Sequence, residues 1–223
     1  MYRYRMMIFI IMLILFIIFP ASAQVKTGDV ITFGHYEQDN DLSNGSEPIE
    51  WLVLTEEEGR MLLISRYGLD GMPYHSSFAE ITWKNCWLRQ WLNGEFYETA
   101  FTDAEQEVIE EVINRTPANP EAGTDGGDDT ADSVFLLSLD EVFRYFPSVK
   151  SRTCKATDFA KGKDVLVDWV NEDNSFWWLR SPGYSPYSAA IVYSNGLLYM
   201  YGSSVTNSAR VVRPAIWLRS DGR

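Results

Sequence analysis

Side chains that could perform acid–base or nucleophilic chemistry are few, and they form no recognisable catalytic motif. The two histidines, His35 and His75, each have a tyrosine beside them and no nucleophile motif nearby. The signatures of serine hydrolases, zinc peptidases and nucleotide-binding loops are absent from the sequence. Because the chain has 31 acidic residues, pairs of carboxylates are expected by chance and do not identify a glycosidase. A hydrolase acting on polysaccharide or cell wall through an Asp/Glu pair is therefore only an alternative.

One acidic segment has the spacing of a calcium loop. The ligand positions 1, 3, 5, 9 and 12 of an EF-hand would fall on oxygen-bearing residues, which are Asp39, Asp41, Ser43, Glu47 and Glu50. The loop glycine is misplaced, however, since Asn44 occupies position six and Gly45 follows it. The flanks also have the pattern of strands. A solvated hairpin loop is the better interpretation, with calcium on Asp39, Asp41 and Glu50 as a weaker alternative and no other cofactor indicated.

The strongest local signal is the composition of residues 183–208. Tyr, Ser, Asn and Thr make up 14 of these 26 residues. Tyrosine offers a large amphipathic contact area at low entropic cost, while serine and asparagine supply adaptable hydrogen bonds. The segment predicts a recognition surface formed by Tyr184, Ser185, Tyr187, Tyr193, Asn195, Tyr199, Tyr201, Ser203 and Asn207. An ordinary hairpin is the competing interpretation, but it explains Tyr199 and Tyr201 better than the polar turns.

Two aromatic motifs flank this segment. W-W-L-R-S-P precedes it and V-R-P-A-I-W follows it, so each motif places an arginine beside tryptophan. We expect Trp177, Trp178 and Trp217 to lie in the core. We expect Arg180 and Arg213 to be held by carboxylates or carbonyls beneath the surface, because a buried guanidinium needs hydrogen-bond acceptors.

The elements that position these residues are strands at both ends of the chain with helices between them. Strands are predicted over residues 29–33, 49–54, 60–65, 134–137, 176–180, 189–193, 197–201 and 209–218. Asn195-Gly196 predicts a type I′ turn, and Pro214 should sit at an edge or a bulge. This order of elements indicates an α+β domain with two to three helices.

The helices are predicted from spacing and capping. Trp83, Trp87 and Trp91 fall on one apolar helical stripe. Thr102 with Glu105, and Ser138 with Glu141, form capping boxes, so helices should begin at residues 103 and 139. The first of these should include Val108 and Ile109. Residues 117–132 lack periodicity and should form a long exposed loop.

The first 23 residues have the pattern of a secretory signal peptide. Arg3 and Arg5 precede an apolar run, and small residues follow Pro20. A retained anchor is the alternative, but the run is shorter than the ~20 residues that span a bilayer. We therefore expect residues 24–223 to be one secreted or cell-surface domain, a monomer with no membrane span after cleavage. The net charge of −12 argues against nucleic-acid binding. In an oxidising compartment Cys86 and Cys154 could pair, or remain separate buried thiols.

Six segments together resemble an uncharacterised bacterial family of exported domains. They are GDVITFG at 28–34, IEWLVL at 49–54, LRQWLN at 88–93, VFLLS at 134–138, WWLRSPG at 177–183 and VRPAIW at 212–217. The resemblance covers nearly all of the mature chain in order. It implies an exported domain but no specific activity.

The C-terminal part more loosely resembles the C-type-lectin-like fold of formylglycine-generating enzymes and of the variable proteins of diversity-generating retroelements. In the variable proteins, a stretch rich in Tyr, Ser and Asn displays a ligand surface on a fixed scaffold. The resemblance implies that residues 184–208 take that place. The paired cysteines near the C-terminus of the enzymes have no counterpart after Cys154. We therefore expect a non-enzymatic binding domain for a protein or glycan; a structural module of a surface assembly is a third possibility.

Overall fold

The computed structural model describes residues 25–171 and 173–220. The segment predicted to be a signal peptide, residues 1–23, lies outside the described residues. Within the described residues, no helix combines the length and the hydropathy needed to cross a membrane.

The described residues form a mixed α+β structure of short, mostly antiparallel strands. The strands are β1 (Val30–Tyr36), β2 (Glu47–Glu57), β3 (Arg60–Ser65), β4 (Asp70–Gly71), β5 (Ile109–Glu110), β6 (Val112–Asn114), β7 (Thr130–Asp132), β8 (Val134–Phe135), β9 (Val167–Asp168), β10 (Asn174–Ser175), β11 (Trp177–Pro182), β12 (Ser188–Val192), β13 (Leu198–Ser204), β14 (Val211–Val212) and β15 (Ala215–Arg219). The α-helices are α1 (Trp87–Trp91), α2 (Tyr97–Ala100), α3 (Asp103–Gln106), α4 (Leu139–Tyr145) and α5 (Asp158–Lys161).

The larger sheet joins the two ends of the described chain. Its strand order is β1-β2-β3-β15-β5, and β8 also pairs with β15. The strands predicted near the two ends of the chain therefore lie in one sheet. The inner faces of β3 and β15 are fully buried; Leu63 and Ile216, for example, are directly paired and inaccessible to solvent. This burial supplies the hydrophobic free energy that holds the sheet together.

The tyrosine-rich hairpin belongs to a second sheet. Its order is β13-β12-β11-β14-β4, with β13 at one edge and a parallel pair between β11 and β14. The predicted final strand is split: β14 lies in this sheet and β15 in the other. Pro214 lies at the break, where its carbonyl accepts a hydrogen bond from the Ser65 amide at 2.9 Å. A proline suits the break because it has no amide to donate to either sheet.

The helices are shorter and more numerous than predicted. Both capping boxes are present, at Thr102 and Ser138. The helix after Thr102 nevertheless ends at Gln106 instead of including Val108 and Ile109, because Ile109 enters β5 and pairs with Leu218 of β15. The tryptophan stripe is also interrupted: a 3₁₀ turn (Trp83–Asn85) leads into α1, and a π-helical turn (Leu92–Phe96) separates α1 from α2.

The turn between β12 and β13 differs from the predicted type I′. The Tyr193 amide donates to Leu197 and the Gly196 amide donates to Tyr193, both at 2.8 Å. Gly196 has a φ of +85°, whereas Asn195 is not in the left-handed region. A type I′ turn needs positive φ at both central residues, so this is a longer loop that ends in a glycine bulge.

The segment 117–132 is not a freely exposed loop. Asn119 is 2% exposed, and its side-chain amide donates to the carbonyls of Pro182 and Met200. Residues 130–132 form β7 against β6. The loop is thus fastened beside the end of the tyrosine-rich hairpin.

Candidate functional site

The flanking tryptophans lie in the core, as predicted. Trp177 and Trp178 are fully buried, and Trp217 is 8% exposed. The indole N–H of Trp177 donates to the Arg152 carbonyl and that of Trp178 to the Met72 carbonyl, each at 3.0 Å. Each buried indole therefore has a hydrogen-bond acceptor and packs without a desolvation penalty for its N–H.

The two flanking arginines are buried but are held differently. Arg180 forms an ion pair with Glu141, with Nη2 2.9 Å from Oε1, and also donates to the carbonyls of Arg115 and Leu136. Arg213 donates only to carbonyls, from Nε to Ser65 at 2.9 Å and from Nη1 to Arg152 at 3.4 Å. Both arrangements match the prediction that carboxylates or carbonyls hold these side chains.

Four predicted tyrosines stack into one continuous row, which we call the tyrosine ladder: Tyr184, Tyr201, Tyr199 and Tyr193. The ring centroids of Tyr184 and Tyr201 are 5.0 Å apart, and those of Tyr193 and Tyr199 are 4.8 Å apart. Tyr199 and Tyr201, two residues apart on β13, join the two pairs at 5.9 Å. Tyr184 and Tyr201 are 56% and 52% exposed, whereas Tyr193 and Tyr199 are partly buried and pack against the core. The surface end of the ladder is therefore the pair Tyr184 and Tyr201.

Two residues that the sequence analysis missed extend the ladder. Phe176 and Tyr193 pack edge to face, with their ring centroids 5.4 Å apart. The guanidinium of Arg210 lies 4.9 Å from the Phe176 ring centroid. The parallel register that pairs Trp177 with Val211 brings Phe176 and Arg210 together. Nothing in the sequence indicated this pairing. Burial raises the pKa of Tyr193 and lowers the pKa of Arg210.

Tyr187 does not belong to the ladder. Its ring stacks on Phe78, with centroids 4.8 Å apart, and its hydroxyl donates to Glu80 at 3.0 Å. The hydrogen bond to Glu80 raises the pKa of Tyr187 because it favours the neutral phenol. The predicted surface is therefore divided into two aromatic clusters.

The predicted serines and asparagines mainly shape turns. Ser203 is 9% exposed and accepts a hydrogen bond from the Asn207 side chain, so little of its surface is available for contact with a ligand. Asn195 is exposed, and its side-chain oxygen accepts from the Leu197 amide. The amide of Ser185 donates to Ser188. Short polar side chains of this kind stabilise loops by bonding to nearby backbone.

The most buried carboxylates are saturated with donors. Asp132 accepts from Arg89 at 2.5 Å and Trp83 at 3.0 Å, and also from Asn114 and Thr130. Asp70 accepts from the Tyr36 hydroxyl at 2.6 Å and pairs with Lys163 at 2.7 Å. Burial and the neighbouring Asp70 raise the pKa of Tyr36, which stays protonated as the donor. These contacts account for both carboxylates as parts of the fold.

The predicted calcium ligands come together only in part. Glu50 pairs with Arg66 at 2.7 Å, and Asp41 accepts from Ser43. Two of the predicted positions, Asp39 and Glu47, converge with Glu37, which was not among them. Backbone amides already occupy part of this acidic group: Asp41 N–H donates to Glu37 and Gln38 N–H to Glu47. Glu50 is thus engaged by Arg66, outside the acidic group. Calcium binding at Asp39 stays a prediction.

The two cysteines follow the second of the predicted alternatives. Cys86 and Cys154 are free, buried thiols and do not pair with each other. Burial raises the pKa of Cys86 to about 12, although the Arg89 amide donates to its sulfur. Each thiol fills a different part of the core and is 2% exposed or less.

A comparison with known protein families finds a match over most of the chain. The model of a domain of unknown function, DUF6273, matches residues 58–220. The chain belongs to this family. The match includes both tryptophan–arginine motifs and the tyrosine ladder, so these are features of a DUF6273 domain in this protein. No curated protein and no solved structure gave a significant match.

Proposed function

We propose that this DUF6273 protein is an exported, non-enzymatic binding domain and that the tyrosine ladder is its contact surface. The observation that carries the proposal is the unbroken row of ring contacts from Tyr193 and Tyr199, which pack against the core, to the exposed pair Tyr201 and Tyr184. The hydroxyls of Tyr184 and Tyr201 have no hydrogen-bond partner among the described residues. Rigid aromatic rings with free hydroxyls make favourable contacts at low entropic cost.

The shape of the surface supports a protein ligand. The groove of about 410 Å³ lined by Glu80 and Pro186 does not include the ladder rings. Small-molecule sites are usually concave, whereas protein interfaces are flatter and rich in tyrosine. The binding surface is therefore best matched by the face of a folded protein or by an extended peptide.

Charge near the ladder supports a partner with basic groups. The fastened loop reaches the ladder through Thr124, whose hydroxyl donates to the Tyr184 carbonyl at 2.8 Å. Glu121 and Asp125 are exposed in the same loop. They add to the chain's net charge of −12. An acidic rim would speed the approach of a basic partner, with a rate that falls as salt rises.

Selection from a random peptide library on the immobilised domain tests this proposal. We expect enriched peptides to compete for one site and to bind the Tyr199→Ala/Tyr201→Ala variant at least ~10-fold more weakly, as for removal of central aromatic contacts. Tyr187→Ala is the matched control, because it removes a tyrosine outside the ladder and should leave binding unchanged. Peptides that bind the ladder variant as well as the unmodified domain would overturn the proposal.

A glycan array run with the same variants separates the other possible ligands. Glycan binding that is lost with Tyr199 and Tyr201, without peptide enrichment, would replace the protein ligand by a carbohydrate. Turnover of polysaccharide by the purified domain would favour the hydrolase alternative. Both outcomes would contradict the proposal as stated.

A further inference from the structure

We propose a second site, independent of the ladder: a cationic cavity, with Arg213 on its wall, that binds a small oxyanion. The cavity has a volume of about 540 Å³. Three cationic side chains line it, namely Arg66, Lys155 and Arg213, and none of its described lining residues is acidic. Such a concentration of positive charge is unexpected in a chain with a net charge of −12.

Arg213 is the central observation. It is 2% exposed, and among the described residues no carboxylate lies within 4.0 Å of its guanidinium. Arg180, the corresponding arginine of the other motif, has Glu141 as its counter-ion. Arg213 has only two carbonyl acceptors and the faces of Phe146 and Trp177, at 5.5 Å and 5.0 Å. A buried cation without a counter-ion is costly, so an anion entering the cavity would be strongly favoured.

The free donors of Arg213 are accessible from the cavity. Nε and Nη1 are used by the carbonyls of Ser65 and Arg152, which leaves Nη2 without a partner among the described residues. Burial lowers the pKa of Arg213, the direction expected when a charge lacks compensation. The guanidinium nevertheless remains charged and can donate to an oxyanion.

Asn174 provides an independent observation on the same wall. It is 7% exposed, and it is one of the residues that line the cavity. Its position in β10 makes it a lining residue of the cavity beside Lys155, to which it is bridged through the backbone. Its side-chain amide therefore adds a neutral hydrogen-bond donor to a wall that already carries cationic groups.

The donor chemistry defines the ligand class. Guanidinium, ammonium and amide N–H groups recognise carboxylate, sulfate and phosphate oxygens. Arg66 at the rim is already paired with Glu50 at 2.7 Å, so Lys155 and Arg213 carry the uncompensated charge. The volume exceeds that of a bare inorganic anion, which suits an oxyanion carried on a small organic molecule.

Calorimetric titration with sodium sulfate, sodium phosphate and sodium acetate at fixed ionic strength, against sodium chloride, tests the site. We expect saturable 1:1 binding of at least one oxyanion to residues 24–223. A preference for acetate would identify a carboxylate ligand, and a preference for sulfate or phosphate a tetrahedral one. Absence of saturable binding by all three anions would overturn the proposal.

Variants assign the binding to this cavity. Lys155→Gln should weaken binding about three- to tenfold by removing one charge-assisted contact. Asn174→Asp should abolish binding, because it adds negative charge to the wall. Lys26→Gln is the control, since Lys26 is exposed and does not line the cavity. Equal binding by all four proteins would indicate a nonspecific salt effect and overturn the proposal. Neither result bears on the ladder, whose rings do not line this cavity.

Discussion

Glu141 caps helix α4 and neutralises Arg180 with the same carboxylate. Its Oε2 accepts from the Ser138 amide at 2.7 Å, which closes the capping box. The carboxylate also pairs with Arg180 of β11. The start of the helix is therefore tied electrostatically to the sheet that carries the tyrosine-rich hairpin.

Replacing Glu141 should test this connection. Glu141→Gln retains the capping hydrogen bond but removes the charge opposite Arg180, which is 3% exposed. We expect a loss of about 2–3 kcal/mol in the free energy of unfolding, below the full cost for a buried pair because Glu141 is partly exposed. Urea denaturation measures it. Glu57→Gln, which breaks an exposed pair with Arg144 at 3.9 Å, should cost less than about 1 kcal/mol. Equal effects of the two substitutions would contradict this reading of Glu141.

Asp132 should be among the least replaceable acidic residues. It is fully buried and accepts from Arg89, Trp83, Asn114 and Thr130. We expect Asp132→Asn to cost about 3–5 kcal/mol, because it leaves the Arg89 charge unpaired and places a donor among donors. Asp129→Asn is the control, since Asp129 is exposed and lies 3.7 Å from Arg115. An Asp132→Asn protein with unchanged thermal and urea unfolding would refute the prediction.

The cysteines should be inert in the folded protein. Burial raises the pKa of Cys86 from 9.0 to about 12, so the thiolate population is small at neutral pH. We expect an aromatic disulfide reagent to react with both thiols only after denaturation. Unchanged melting with and without reductant should accompany this result. Rapid modification of the folded protein at pH 8 would contradict it.

The raised pKa of Cys86 also predicts how the stability of the fold changes with pH. The folded-state pKa of Cys86 lies above its value in the unfolded chain, so folding is favoured by protonation of the thiol. This contribution is fully present below about pH 9 and is lost as pH rises from there toward 12. Urea unfolding across this range should show a steeper loss of stability in the unmodified protein than in Cys86→Ala. The same pH dependence of stability in the unmodified protein and in Cys86→Ala would show that Cys86 does not cause the loss.

Gly196 should be required by its surroundings as well as by its backbone angle. A Cβ there would lie 1.9 Å from the Val149 carbonyl oxygen, and φ is +85°. We expect Gly196→Ala to cost about 2–4 kcal/mol, from backbone strain plus the clash. Gly59→Ala provides the control, because Gly59 has a φ of +76° but no atom within 4 Å of the added Cβ. It should cost only about 1 kcal/mol. Thermal unfolding of the two variants compares strain with and without the clash.

Local signals predicted the features that depend on near neighbours. The capping boxes at Thr102 and Ser138 form as predicted because each involves residues three apart. Trp177, Trp178 and Trp217 are buried because large apolar rings gain the most from leaving water. Contacts between distant segments were not predictable: Ile109 leaves its expected helix because β15 offers it a strand partner. The ion pair between Glu50 and Arg66, which separates Glu50 from the other predicted calcium positions, was likewise not predictable.

The amino-acid sequence by itself determined an α+β chain with strands at its ends, a buried aromatic core and a tyrosine-rich C-terminal segment. Only the tertiary structure decided that Tyr187 packs on Phe78, apart from the tyrosine ladder. It also decided that Phe176 and Arg210 extend the ladder. Finally, it placed Arg213 on a cavity wall that has no carboxylate among its described lining residues. The physical reason is that composition fixes which side chains gain by burial or hydrogen bonding. Strand register and chain crossovers fix which distant partners they meet, and a single chain's local pattern does not contain that register.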